Sequence, residues 1–179
     1  MITVDEYLQL TEKPYFEYDG GVLTQKAWAT WNHSVTQIQA GAAITAAAPE
    51  LCVAVELTVR LREDRFLIPD VAVQHKDHIQ DPYPTEPIPL CIEIVSPEDR
   101  FSYLMTKCDE YLNWGVPTVW IIDPDERRAW ELTHANRLRE ASTVLTAAGI
   151  SIPLRAVFQG VRATPAAAGV YRSPKPAPC

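Results

Sequence analysis

Pro89-Leu90-Cys91-Ile92-Glu93-Ile94-Val95-Ser96 is the stretch whose reading decides the fold. It is a short apolar run, rich in Ile, Leu and Val, and it carries one acid. Runs of this length bounded by proline or polar residues read as buried strands. A helical segment follows, from about Glu98 to Trp114, with Gly115 as its stop. Thr118-Val119-Trp120-Ile121-Ile122-Asp123 is then a second apolar strand. A strand–helix–strand unit of this size is parallel and right-handed. Upstream lies another buried run, Phe66-Leu67-Ile68-Pro69-Asp70-Val71-Ala72-Val73, again with one acid. A carboxylate inside a buried strand is costly unless it is paired, hydrogen-bonded or bound to a cation. If the two strands are neighbours, Asp70 and Glu93 converge, and two converging carboxylates repel unless positive charge lies between them. Oxygen-only clusters of this kind suit Mg²⁺ or Mn²⁺. The plainer alternative is that Asp70 caps a turn while Glu93 pairs with a basic residue.

Outward from this unit, Thr3 to Leu8 reads as a short helix, with Thr3 as N-cap and Glu6 completing a capping box. Tyr15 to Thr24 contains Asp19-Gly20 between alternating segments, a strong hairpin signal. A long helix is expected over Asn32–Ala48, capped by Asn32. Cys52 to Arg62 reads as one strand, with Glu56, Thr58, Arg60 and Arg62 on one face. It turns at Glu63-Asp64 into the Asp70 strand as an antiparallel pair. Lys76 to Pro89 is an exposed, proline-rich loop. Ser96 is expected to cap the helix that follows it. A meander of strands near Arg128–Thr133 and Arg137–Thr146 follows, then a strand or short helix over Ser151–Phe158. The expected class is α/β (α+β), a mixed β-sheet flanked by helices. Residues 1–162 are read as one domain and 163–179 as a disordered Pro/Ala-rich tail.

The chain has 179 residues, 47% of them hydrophobic, and a formal net charge of −7. That charge disfavours non-specific adhesion to nucleic acid or anionic membrane, while leaving room for a local basic face. Arg60, Arg62, Arg65 and Arg100 are the candidates for one. The four cysteines, at 52, 91, 108 and 179, form no CxxC pair and read as reduced, mostly buried thiols of a cytoplasmic protein. The start has no signal-peptide pattern, and no apolar run is long enough to cross a bilayer. His75-x-x-His78 lacks a third ligand. No Walker loop, GxGxxG or GxSxG occurs.

The remaining candidates surround the two acids. Two metal-binding carboxylates with a nearby lysine are what phosphodiester hydrolysis needs. His33 can orient phosphate or bind metal from a helix start, or serve as a capping or packing residue. Gln37 faces the same way one turn later. Glu56 is a weaker alternative ligand. Tyr111 and Trp114 read as core or interface residues.

The chain resembles the PD-(D/E)XK nuclease superfamily, and within it the Uma family of restriction-endonuclease-like proteins, over about residues 3 to 160. The resemblance rests on Tyr15-Phe16-Glu17-Tyr18-Asp19-Gly20-Gly21, on His33 opening a helix, on Pro69-Asp70-Val71 and on Pro89 to Pro97. It continues through Lys107, Tyr111, Gly115-Val116 and Val119 to Pro124. It implies a restriction-endonuclease-like core and divalent-metal-dependent cleavage of DNA. Asp70 and Glu93 are then the metal ligands, Lys107 the assisting amine, and Glu17 a third carboxylate. The superfamily places a lysine two residues after the second acid, where this chain has Val95. Lys107, on the next helix, is the replacement. A homodimer is the expected arrangement for symmetric cutting of both strands, with Trp28, Trp31 and Trp114 available to an interface. The competing function is a non-catalytic relative that keeps the fold and binds a protein or nucleic-acid partner.

Overall fold

The computed structural model describes residues 1–11, 15–97, 100–135 and 137–163. Helix α1 (Val4–Leu8) has the expected capping box: the Thr3 side chain accepts from the Glu6 amide, and the Glu6 carboxylate accepts from the Thr3 amide. Strands β1 (Phe16–Asp19) and β2 (Val22–Gln25) form the expected hairpin. Gly20 and Gly21 sit at its turn with φ of 52° and 93°. Positive φ at both central residues is what a two-residue hairpin with the correct twist requires.

Helix α2 (Trp31–Ala47) starts one residue earlier than expected. Its N-cap is Thr30, whose hydroxyl accepts from the His33 amide at 3.2 Å. Asn32 is not the cap. Its side chain points outward, donating to Asp125 Oδ1 at 2.7 Å and to the Arg162 carbonyl at 3.1 Å.

The expected strand over residues 52–62 is two strands in two sheets. β3 (Leu51–Val55) ends where Glu56 turns left-handed at φ 53°, and β4 (Val59–Arg62) begins after the break. The Asp70 run divides likewise into β5 (Arg65–Leu67) and β6 (Val71–His75). Asp70 therefore lies at the bend before β6 rather than within a strand. The antiparallel pairing survives in both halves, β4 with β5 and β3 with β6. Pro69 explains the break, since proline cannot donate to a ladder.

β7 (Leu90–Ile94) and β8 (Val119–Asp123) pair in parallel across helix α3 (Phe101–Trp114), which ends at Gly115 as expected. Ser96 does not cap α3. The helix starts five positions later, behind Arg100, which makes no side-chain cap bond. The meander is β9 (Arg128–Thr133), β10 (Arg137–Glu140), β11 (Val144–Ala147) and β12 (Ile150–Pro153), so the strand expected over Arg137–Thr146 is again two. A short helix, α4 (Leu154–Val157), follows. The tail read as disordered, beyond residue 163, lies outside the described residues.

Six strands in the order β10-β9-β8-β7-β6-β3 make the central sheet, with β7–β8 the parallel pair. A four-stranded antiparallel sheet, β2-β1-β5-β4, stands beside it. β7 is buried along its whole length, and its alternation assigns its two faces. Leu90, Ile92 and Ile94 pack with Ala40 and Ile44 of α2 and with Leu145, Ile152 and Val157 of the C-terminal elements. Cys91 packs on the opposite face with Leu104, Cys108 and Tyr111 of α3. Period-2 alternation thus turns the Glu93 side chain toward α3. Of the cysteines, Cys91 and Cys108 are buried free thiols, whereas Cys52 is exposed on the edge strand β3.

Candidate active site

The register of β6 on β7 brings the two acids together. Val71 pairs with Ile92 and Ala72 with Cys91, so one further step sets Asp70 opposite Glu93. The Ile94 amide donates to Asp70 Oδ2 at 2.7 Å, which ties the bend before β6 to the end of β7. Both carboxylates are almost fully buried, and both line one cavity of about 430 Å³ together with Glu17, Lys26, His33, Glu56 and Lys107. The five site candidates of the sequence, Asp70, Glu93, Lys107, Glu17 and His33, all line it.

Each carboxylate has its own lysine. Lys107 Nζ lies 3.0 Å from Glu93 Oε2 and 2.6 Å from Glu17 Oε1, and donates to the Ile68 carbonyl at 3.0 Å. Tyr111 donates to Glu93 Oε1 at 2.9 Å, and Tyr103 to Glu17 Oε2 at 2.7 Å. Lys107, Tyr111 and Tyr103 are spaced by four residues along α3, so one helix face supplies all three groups. Lys107 is therefore not a solvated residue pairing with its helix neighbours. Glu110 pairs instead with Arg65 of β5.

The second lysine was not singled out in the sequence. Lys26, just past β2, places Nζ 2.8 Å from Asp70 Oδ1 and 3.0 Å from Glu56 Oε2, and donates to the same Ile68 carbonyl at 2.9 Å. No local pattern marks it. Its partners lie 42 and 44 positions away in the chain and meet it only through the register of the two sheets. From α2, His33 Nε2 reaches Asp70 Oδ2 at 3.2 Å. Gln37, one turn on, donates to Glu56 Oε1 and to the Asp70 carbonyl, as its shared face with His33 led one to expect.

The electrostatics follow from burial set against these contacts. Burial pushes the Asp70 carboxyl up, but Lys26 and the His33 hydrogen bond outweigh it and hold Asp70 well below the ordinary carboxylate range. Burial wins at Glu93: with Asp70 adding repulsion and Lys107 opposing, its pKa rises to about 7. Glu17 is lowered, because Lys107 and Tyr103 outweigh burial. Burial would lower Lys107, but Glu17, Glu93 and Asp70 raise it well above its ordinary value. Lys26 and His33 are also raised, against burial, chiefly by Asp70.

This donor chemistry fits a hard divalent cation. Four carboxylates face the cavity, and two ammonium groups touch them. Burial raises the Glu93 pKa first, and repulsion from Asp70 and Glu17 adds to it. Among the described residues, no three His, Cys, Asp or Glu side chains form a complete metal cage. Mg²⁺ needs none, since it commonly binds one or two carboxylates and keeps several waters.

The expected basic face is corrected. Arg65 is buried in a two-pronged pair with Glu110, Arg62 is held by Asp19 and Asp64, and Arg60 lies over the Phe66 ring. Arg60 and Arg62 are turned to the aromatics and acids of the smaller sheet and its turns, and Arg65 to Glu110 of α3. Of the four arginines, Arg100 alone lines the acid cavity. His78 contacts Glu86 at 3.4 Å, and neither His75 nor His78 lines that cavity.

The family model described as "Putative restriction endonuclease", Uma2, matches residues 4–166. The chain belongs to the Uma2 family. A crystal structure described as a putative nuclease belonging to DUF820, from Anabaena variabilis, superposes with a TM-score of 0.76 at 22% identity, covering 89% of this chain and 98% of that one. That likeness shows a shared fold, a mixed α+β architecture built on the same sheet. No curated protein matches the chain. No helix among the described residues is long and apolar enough to cross a membrane.

Proposed function

We propose that this Uma2 chain is a metal-dependent endonuclease that hydrolyses DNA phosphodiester bonds, with Asp70 and Glu93 holding Mg²⁺ or Mn²⁺. The observation that carries the reading is that Asp70 and Glu93, at adjoining ends of β6 and β7, line one cavity, with Lys107 bonded to Glu93. A bound divalent cation would polarise the phosphoryl group and acidify a water. Lys107 has a raised pKa and stays charged, so it serves as a fixed positive charge rather than a proton acceptor. Glu17 and the Ile68 carbonyl hold that ammonium in place. His33 and the Ile94 amide orient Asp70 by engaging Oδ2. The migrated lysine stands in for the one that Val95 lacks.

Incubation with plasmid and Mg²⁺ or Mn²⁺ tests the reading. Nicking that depends on metal, and is lost in both Asp70→Ala and Glu93→Ala, is expected. Intact plasmid with every metal would leave a non-catalytic binding module as the function. The four carboxylates favour that second reading to one extent, since they repel a DNA backbone wherever no cation screens them. For cutting both strands we propose a homodimer, with sedimentation of the free chain and of its DNA complex as the check.

A further inference from the structure

Asp70 spends its two oxygens unequally. Oδ2 is engaged by the Ile94 amide at 2.7 Å and by His33 Nε2 at 3.2 Å. The first is backbone at the end of β7 and the second a ring on the first turn of α2, so neither can leave without disturbing an element. Oδ1 is engaged by Lys26 alone among the contacts described, at 2.8 Å. Oδ1 is thus the less engaged oxygen and the one more open to a cation, and Lys26 is what a cation meets there.

Lys26 is also placed to leave. It follows the last residue of β2, on a segment (26–30) with neither helix nor strand structure, and its side chain is 12% exposed against 5% for Lys107. Its stem is a flexible four-carbon chain ending in a compact charge. A second anchor waits at the cavity edge. Glu56 lies 3.0 Å from the same ammonium, with its side chain 30% exposed. Gln37 fixes the other Glu56 oxygen at 3.0 Å, and the left-handed backbone at Glu56 (φ 53°) turns the carboxylate there instead of continuing β3. Non-glycine residues persist in that conformation only where their surroundings compensate for it.

We propose that Lys26 is an exchangeable resident cation: it holds Asp70 Oδ1 in the metal's stead and moves onto Glu56 when a divalent ion binds. The proposal rests on Asp70 and Glu93 being the metal ligands. It makes Lys26 a positioning residue that sets metal affinity, distinct from Lys107, which stays in place. The ammonium keeps the acids compatible with the fold and raises the metal concentration needed to load the site.

The test is Mn²⁺ titration by calorimetry on the full chain, wild type beside Lys26→Met. Removing one adjacent positive charge should tighten Mn²⁺ binding by at least about tenfold. Saturating Mn²⁺ should also raise the melting temperature of Lys26→Met more than that of wild type. A merely structural lysine would lower the metal-free melting point and leave the metal response unchanged. Equal or weaker Mn²⁺ binding by Lys26→Met, or none by either chain, overturns the proposal. Should Lys26→Met fail to fold, the wild-type chain with ¹³C-labelled lysines decides. Mg²⁺ is expected to shift the Lys26 ε-methylene resonance more than that of Lys107, which stays beside Glu93; an equal or larger shift at Lys107, or none at either, overturns it. Because these readouts are binding and spectroscopy, metal exchange without DNA cleavage would remove the nuclease reading and leave this one standing.

Discussion

Two lysines donate to one carbonyl, that of Ile68, from different elements, and the cavity divides between them. On the α3 side, Lys107 joins Glu17 and Glu93, with Tyr103 and Tyr111 closing the remaining carboxylate oxygens. On the α2 side, Lys26 joins Asp70 and Glu56, near the cavity mouth. The first half is anchored by one face of a 14-residue helix packed on the sheet. The second hangs from an irregular segment. Equal charges in equal company thus differ in how much of the fold moves if they move. That difference separates a structural cation from an exchangeable one.

Removing each ammonium should break the symmetry most visibly. Lys107→Met leaves Glu17 and Glu93 buried without their shared cation. Breaking a buried ion pair from one side costs about 3–5 kcal/mol. For a chain of this size, that lowers the melting temperature by on the order of 10 °C. Lys26→Met should cost clearly less, because Glu56 reaches solvent and Asp70 keeps His33 and the Ile94 amide. Thermal melts of the two variants side by side decide the matter. Equal losses would mean that Lys26 is as deeply built in as its counterpart.

Acid should act on the α3 half first through Glu17. Its folded pKa lies below the ordinary value, so the fold favours its charged form. That contribution is present above the unfolded pKa, about 4.3, and is lost as pH falls through the lower folded value. Glu17→Gln should therefore be less stable than wild type at neutral pH yet flatten the acid limb. Urea midpoints taken from about pH 6 down to about pH 3 should converge between the two chains. Parallel curves would deny Glu17 its ion pair.

Much of this arrangement was legible in the sequence. The Asp-Gly hairpin, the Thr3–Glu6 capping box, the strand–helix–strand unit and the stop at Gly115 are local signals, and each stands where it was expected. Asp70 and Glu93 were legible because buried acids need partners, His33 because it opens a helix, and Lys107 and Glu17 because the sequence resembles the Uma family at those positions. What escaped depends on distant context. Val55 to Arg62 alternates smoothly, and nothing in that pattern reveals that Glu56 turns left-handed and sends the two halves to different sheets. Lys26 looks like any lysine after a hairpin until the sheets bring Asp70, Glu56 and Ile68 around it. The arginines read as a basic face because pairing with Glu110, Asp19 and Asp64 is likewise set by tertiary contacts.

The smallest effect concerns how the α2 half is held. Thr30 caps α2 through the His33 amide, and His33 in turn holds Asp70 Oδ2. Thr30→Ala should cost about 1 kcal/mol, the ordinary price of a lost N-cap. The loss should be local: faster hydrogen exchange at the His33 amide, with the α3 half unchanged. Asn32→Ala is the control, because the Asn32 side chain ties the helix start to Asp125 and Arg162 rather than capping it. It should leave His33 amide protection intact. If Asn32→Ala frees that amide and Thr30→Ala does not, the cap sits where the sequence alone suggested, and the first turn of α2 is not what steadies Asp70.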